Sequence, residues 1–350
     1  MTGVTLRLDI DRWREHLRVV AGATPGLVPV IKGNGYGYGH QRLADEATRL
    51  NADVVAVGVP AEVARVRERF AGAVVILQAW RPGDALADEL AADDRVIITV
   101  SRISDLKALA AAGSKARVLI EVLTSMRRHG IAAEDLADAV AELGDLRFEG
   151  WTIHLPLSPG GQYAEAERLS RAALAARRGT LWLSHLPADE ATGLSRQLGG
   201  PGDPAPIRLR VGTRLWLGDE GSRSTVATVL DVHPVRRGER IGYRQRPATF
   251  DGWVVIMAGG TSHGIGLEAP TPAASLRQRA ISAANGTLEA AGLALSPYTI
   301  AGKKRWFCEP PHMQASMIFL PKSQVPPQVG QELPVELRLT TATVDRIEEV

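Results

Sequence analysis

Val28-Pro29-Val30-Ile31-Lys32-Gly33-Asn34-Gly35-Tyr36-Gly37-Tyr38 is an apolar run that gives way, at a single lysine, to a turn with glycine at alternate positions. Apolar, partly β-branched residues before the lysine and glycines after it predict a strand whose carboxyl end carries Lys32. A lysine at such a boundary is partly desolvated, which penalises the ammonium form, lowers the pKa and favours the neutral amine that attacks carbonyls. An amine of that kind can hold an aldehyde cofactor as a Schiff base. The glycines at 33, 35, 37 and 39 fit neither G-x-G-x-x-G nor G-x-x-x-x-G-K-[ST], which argues against a nucleotide loop. Taken alone, the segment reads equally well as a glycine-rich turn with an incidental surface lysine, so the deciding information lies outside it.

Outward from Lys32, apolar β-type runs alternate with amphipathic helical stretches. The strands read as Val28–Lys32, Val54–Val57, Ala73–Leu77, Val96–Val100, Arg117–Val122, Gly150–His154, Leu181–Ser184 and Ile207–Val211. Between them fall helices at Gln41–Leu50, Ala61–Phe70, Ile103–Ala112, Ala133–Leu143, Tyr163–Ala176 and Glu190–Leu198. Eight such strands predict an α/β fold, a (β/α)8 TIM-type barrel over residues 1–222, with an open doubly wound sheet as the competing architecture. After Ser222 the pattern changes to Thr225–Val232, Arg240–Tyr243, Trp253–Met257 and Leu333–Leu339, with one helix around Ser275–Ala291, which predicts a separate, mostly β domain over residues 223–350. Groups at the carboxyl ends of barrel strands line the active face. Lys32, Tyr36, Arg128, His154, His185 and Arg210 all fall at or just after such ends, and that shared placement lifts Lys32 above an incidental surface residue.

Composition narrows the partners. The 350 residues are 45% hydrophobic and 23% charged, ordinary for a folded protein. A net charge of +2, from 41 basic against 39 acidic residues, gives no field that points to nucleic acid or a membrane surface. The single Cys308 excludes an intramolecular disulfide and fits a reducing compartment. Met1 to Trp13 is charged, and no run approaches ~18 apolar residues, so a soluble, cytoplasmic protein is expected. The eight histidines are scattered without H-E-x-x-H or paired C-x-x-C spacing, so no metal centre is expected, and no G-x-S-x-G elbow appears. His185 and His233 read as structural.

Val30-Ile31-Lys32-Gly33-Asn34-Gly35-Tyr36-Gly37-Tyr38-Gly39-His40 resembles the pyridoxal-phosphate lysine motif of the alanine racemase family, V-V-K-A-N-A-Y-G-H-G. Leu8-Asp9-Ile10-Asp11, the Glu62-centred Val57–Arg67 segment and Thr124-Ser125-Met126-Arg127-Arg128-His129-Gly130, against T-G-M-N-R-L-G, are similar to successive family blocks. Trp151-Thr152-Ile153-His154 resembles G-x-x-T-H, and Leu209-Arg210-Val211-Gly212-Thr213-Arg214-Leu215 resembles V-R-P-G-I-x-L. The resemblance implies a fold type III pyridoxal 5'-phosphate enzyme acting on an amino acid. It also implies a homodimer in which the β domain of one subunit completes its partner's site. By the same resemblance Lys32 is the Schiff-base lysine and one acid/base, Tyr36 with the backbone of Gly212 and Thr213 holds the cofactor phosphate, and Arg210 faces the pyridine nitrogen. His154 orients Arg210, Arg128 approaches the cofactor phenolic oxygen and the substrate carboxylate, and Met313 contacts substrate.

The resemblance weakens in the second half. Racemisation needs acid/base groups on opposite faces of the substrate, because one base returns the proton to the side it left. The family's second group is the tyrosine of G-Y-A-D-G, and here Ile256-Met257-Ala258-Gly259-Gly260-Thr261-Ser262-His263-Gly264 carries none. Pro311-His312-Met313-Gln314 stands for S-M-D-Q without its aspartate. His263, in a glycine-rich turn from which a side chain could reach outward, is the candidate opposite-face base, with His312 and Tyr243 as further candidates. The expected activity is a pyridoxal-phosphate-dependent amino-acid racemase or epimerase. The alternatives are a cofactor-binding protein without turnover and, on the loose similarity of Cys308 to a decarboxylase cysteine, a decarboxylase.

Overall fold

The computed structural model describes residues 2–157, 160–200, 202–267 and 294–350, so the helix expected around Ser275–Ala291 lies outside the described residues. The chain divides into two compact units, Arg14–Gly218, and Met1–Trp13 together with Asp219–Val350. It opens with strand β1 (Val4–Leu8) and helix α1 (Ile10–Gly22).

The first of these units is the barrel. Its strands are β2 (Leu27–Pro29), β3 (Val54–Val57), β4 (Ala73–Ala79), β5 (Val96–Val100), β6 (Arg117–Val122), β7 (Arg147–His154), β8 (Leu181–Ser184) and β9 (Ile207–Val211). Helices α2 (His40–Arg49), α3 (Val63–Arg67), α4 (Ala85–Ala91), α5 (Ile103–Ala111), α6 (Leu136–Ala141), α7 (Gln162–Ala176) and α8 (Ala188–Leu198) connect them, and α9 (Thr213–Leu217) follows β9. The eight strands pair in the order β2-β9-β8-β7-β6-β5-β4-β3. The ring is drawn closed where Val30 bridges Ala56 and the Ile31 amide donates to the Ala56 carbonyl at 2.7 Å. Helix α4 was not foreseen, because seven residues carry too few turns for a clear period. It is held instead by its ends: Asp84 accepts from the Ala87 amide at 3.1 Å, and the Trp80 indole donates to Asp88 at 2.9 Å.

Strand side chains alternate, so residues two apart share a face. Val28, Val30, Val54, Ala56, Val75, Ile97, Leu119 and Trp182 pack into one apolar plug inside the barrel. Two residues beyond four of these, toward the carboxyl ends, stand Lys32, Gly58, Glu121 and Ser184. Arg210 stands two beyond Arg208, whose guanidinium lies 5.1 Å from the Trp182 ring, and His154 two beyond Thr152, which pairs with Trp182. An apolar floor under a polar upper layer is the arrangement that opens a barrel for chemistry at one end only.

The second unit is a sheet. It contains β10 (Arg223–Val235), β11 (Arg240–Ile241), β12 (Arg246–Pro247), β13 (Gly252–Ala258), β14 (Leu295–Ile300), β15 (Lys303–Trp306), β16 (Ala315–Pro321), β17 (Glu332–Pro334) and β18 (Arg346–Glu349). The main order is β16-β13-β10-β1-β18, with β17 also on β10. Strand β1 runs antiparallel to β10 and parallel to β18. The first thirteen residues group with the β unit, and the later change of unit falls between Gly218 and Asp219, beside the expected residue 222. Val4, Leu6 and Leu8 are fully buried while Arg7 faces out to Glu332, an alternation masked in the sequence by the charged segment that follows. The strand expected at Leu333–Leu339 is limited to Glu332–Pro334, ending at a proline that has no N–H to give a ladder. Among the described residues no helix is long and apolar enough to cross a membrane.

Candidate active site

Strand β2 ends at Pro29, and the chain rises past Val30, whose amide donates to Val211 at 2.9 Å, to reach Lys32 at the rim. The turn that follows is fixed by Glu62. Its carboxylate accepts from the amides of Gly33 and Gly58, both at 2.7 Å, and lies 3.8 Å from His40 Nε2. Burial pushes the Glu62 pKa up, but His40 and the donated backbone N–H groups outweigh it, and the net shift is downward. A β-carbon at Gly58 would stand 3.1 Å from Lys32 Cβ, so glycine there leaves the lysine its room. Lys32 is exposed as a residue, yet its ammonium is held below the usual lysine range by desolvation and by Arg128 and Arg210, with Glu62 opposing.

Tyr36 sits at φ 53, a left-handed conformation that a tyrosine adopts only when its surroundings impose it. Its hydroxyl lies over Gly212: a β-carbon there would stand 2.1 Å from the phenolic oxygen. Burial, with a smaller contribution from Glu62, pushes the Tyr36 pKa up to about 12, so the phenol remains a neutral donor. Gly212 is the N-cap of α9, of which Thr213 is the first residue. The Trp216 indole of α9 donates to the Val30 carbonyl at 2.7 Å, tying this segment to the strand that carries Lys32.

Arg210 is 9% exposed and donates to the Ile153 carbonyl at 3.1 Å and to Ser184 Oγ at 3.5 Å. Its Nε has no partner among the described residues. Burial pulls its pKa down to about 10, opposed by Glu121 and helped by Arg128. His154 does not bond Arg210 directly. Its Nδ1 meets Ser184 Oγ at 2.6 Å, so that Ser184, which the sequence did not single out, stands between the two. Burial, then Arg210, Arg128, His185 and Lys32 press the His154 pKa down to about 3, leaving a neutral imidazole. His185 packs edge-on to it at 5.0 Å.

Arg128 is exposed in the loop after β6 and makes no ion pair among the described residues. The loop is pinned by Glu165, which accepts from the Ser125 amide at 2.6 Å and from its hydroxyl at 2.8 Å. A small cavity lined by Glu121, Thr124, Met126, Arg128, His129 and His154 opens beside it. Glu121 is a buried carboxyl that sequence reading passed over, although a charge two residues beyond Leu119 on the inward face is a legible signal.

His263 and Met313 belong to the β unit. The expectation that His263 reaches outward is overturned: it is 7% exposed, its Nε2 lies 3.2 Å from both carboxylate oxygens of Asp345, and its Nδ1 lies 3.3 Å from the Gly260 amide and 3.2 Å from Ser262 Oγ. Both ring nitrogens are occupied in holding the turn. Met313 is 72% exposed, and its carbonyl accepts from the Ser262 hydroxyl at 2.6 Å. Burial and Glu309 push the Cys308 thiol up to about 12, which disfavours its thiolate. Exposed Tyr243 stacks obliquely on His312 at 4.7 Å, and His312 Nε2 lies 2.7 Å from the buried Glu309. Among the described residues no three His, Cys, Asp or Glu side chains are arranged to hold a metal ion.

The family model for the N-terminal domain of alanine racemase matches residues 8–185. An alanine racemase of Nitratidesulfovibrio vulgaris is 30% identical over 285 residues, covering 73% of this chain and 73% of that protein. An alanine racemase of Desulfovibrio desulfuricans is 28% identical over 171 residues, and there the match spans only 46% of each chain. The crystal structure of alanine racemase from Bartonella henselae with covalently bound pyridoxal phosphate superposes with a TM-score of 0.70 at 15% identity, covering 100% of this chain and 99% of that one, a likeness of fold.

Proposed function

The chain belongs to the alanine racemase family, and from that membership we propose that it is a pyridoxal-phosphate-dependent amino-acid racemase or epimerase in which Lys32 holds the cofactor and moves the α-proton on one face. The carrying observation is the barrel mouth itself, where a lysine of lowered pKa, a buried arginine with an unpartnered Nε and a tyrosine hydroxyl lying over a glycine converge.

These residues fit the cofactor. The orphaned Nε of buried Arg210 is a donor that lacks an acceptor, and a pyridine nitrogen is one. Tyr36, kept neutral by burial, and the backbone at Gly212 and Thr213 suit a phosphate, the one group supplying an O–H and the others N–H donors. When bound, pyridoxal phosphate supplies a conjugated ring that spreads the negative charge left at the α-carbon. Arg210 cannot yield a proton readily, so its role is to donate a hydrogen bond, not to acidify the ring. Neutral His154 and Ser184 hold Arg210 in line. Arg128 takes the substrate carboxylate, which a guanidinium grips in two places at once.

The second acid/base must come from elsewhere, since Tyr36 is committed to the cofactor phosphate and His154 to Ser184 in holding Arg210. With His263 engaged by Asp345, Tyr243 backed by His312 and Glu309 is the remaining phenol–imidazole–carboxylate group of suitable chemistry among the described residues. We assign it that role in a homodimer in which the β unit of one copy completes the site of the other, with Met313 beside the substrate. Incubating the pyridoxal-phosphate-loaded protein in heavy water with single enantiomers tests the reading. Deuterium enters the α-position of both enantiomers of a true substrate, and Lys32→Ala abolishes it. The tyrosine-free turn at Gly259–Gly264 favours one other reading, cofactor binding without turnover. Cofactor uptake with no exchange from any amino acid would select it.

A further inference from the structure

We infer that Glu121 is a positioning residue, the buried counter-charge that keeps the Arg210 guanidinium in the barrel mouth while leaving its Nε free to donate. The inference rests on the cofactor reading above only for what Nε donates to. A guanidinium in a low-dielectric interior needs an opposite charge, because neutral hydrogen-bond partners satisfy its N–H groups without offsetting its charge. The direct partners of Arg210 are both neutral, the Ile153 carbonyl and the Ser184 hydroxyl. Of the charged groups that act on Arg210, Arg128 disfavours its cationic form and Glu121 favours it.

The relation is mutual. Glu121 is 6% exposed; burial, the largest influence, pushes its carboxyl pKa up, and Arg210, ahead of Arg128 and Arg81, opposes that rise and favours the charged form. Its placement follows from the strand: Leu119 lies in the apolar plug, so Glu121, two residues on, points into the same interior at the level of Ser184. Its neighbour across the β6–β7 ladder is Thr152.

The pair is not a closed salt bridge. Glu121 Oε2 and Arg210 Nε are both buried and each is without a hydrogen-bond partner among the described residues. A carboxylate in direct contact would consume the donor that has to face the cofactor ring. One held at a distance stabilises the charge through space and leaves the donor available, since Coulomb interaction in a poorly screened interior persists beyond hydrogen-bond range. Separation is therefore the property that makes Glu121 useful to the site.

A double-mutant cycle of Glu121→Gln and Arg210→Gln, read as thermal midpoints of the unloaded protein, tests the pairing without any turnover. Each single variant leaves one buried charge uncompensated and lowers the midpoint, while the double variant regains part of the loss. In protein loaded with pyridoxal phosphate, Glu121→Gln displaces the bound cofactor's absorption band and weakens its retention severalfold. Glu121→Asp, which keeps the charge, preserves most of both. Additive losses in the cycle overturn the pairing. A coupled cycle with a Glu121→Gln band and affinity equal to wild type overturns the positioning role. Wild-type protein that takes up no pyridoxal phosphate overturns the cofactor reading instead, and the unloaded cycle still judges Glu121.

Discussion

Single residues at the barrel mouth carry predictions that differ in sign. Replacing Gly212 with alanine drives a methyl into the Tyr36 hydroxyl, so Gly212→Ala should destabilise the barrel by about 1–3 kcal/mol, typical of overpacking. Removing the hydroxyl in a Tyr36→Phe background should recover part of that loss in denaturant titration. His154 predicts a pH effect. Its ordinary value of 6.5 falls to about 3 when folded, so between those values the unfolded chain binds a proton that the folded chain refuses. Stability then rises with pH across this window and is lost on acidification through it. His154→Gln should flatten that slope, shifting acid unfolding to lower pH, and an unchanged acid midpoint would refute the account. The placement of Lys32, His154 and Arg210 at the barrel mouth was legible in the sequence because each stands at the carboxyl end of a strand-like run, whereas Tyr36 and Arg128, which lie in the loops beyond such runs, were singled out by the family resemblance. Ser184 was not, since a serine at a strand end has no pattern of its own, and the buried position of His263 was not, because Asp345, its partner, stands 82 residues away.

At the scale of elements, most of the eight barrel strands were readable as short runs of branched apolar residues bounded by turns, and Ile207–Val211, which carries Arg208 and Arg210, by its alternate apolar positions. The β unit was harder. Strands Leu295–Ile300 and Lys303–Trp306 carry a proline and three consecutive basic residues, so propensity argues against both, and long-range pairing decides them. One contact between elements bears on function: the Trp216 indole grips the Val30 carbonyl just below Lys32. Trp216→Phe keeps the ring and deletes the donor, which should cost about 1–3 kcal/mol if the carbonyl is left unsatisfied. Because the affected strand carries the lysine, uptake of pyridoxal phosphate should slow, seen as slower growth of the bound-cofactor absorbance, while far-ultraviolet circular dichroism stays unchanged.

For the whole molecule, the assignment of residues 1–13 to the β unit means that this unit is not a continuous stretch of sequence. A fragment beginning at Asp219 lacks the strand that lies between β10 and β18, and its sheet would present two unpaired edges and lose Val4 from its core. Such a fragment should be aggregated or molten by NMR, and adding a peptide of residues 2–13 should restore dispersed resonances. Composition could not disclose this arrangement, because the pairing partners are remote in sequence. Leu8 meets Arg223, 215 positions later. At about 5–20 residues per second of synthesis, strand β1 waits roughly 10–40 s for its partner β10. Throughout that interval Val4, Leu6 and Leu8 lack the cover that buries them in the finished sheet, and chaperone demand during translation should fall on this strand, not on the barrel maturing behind it.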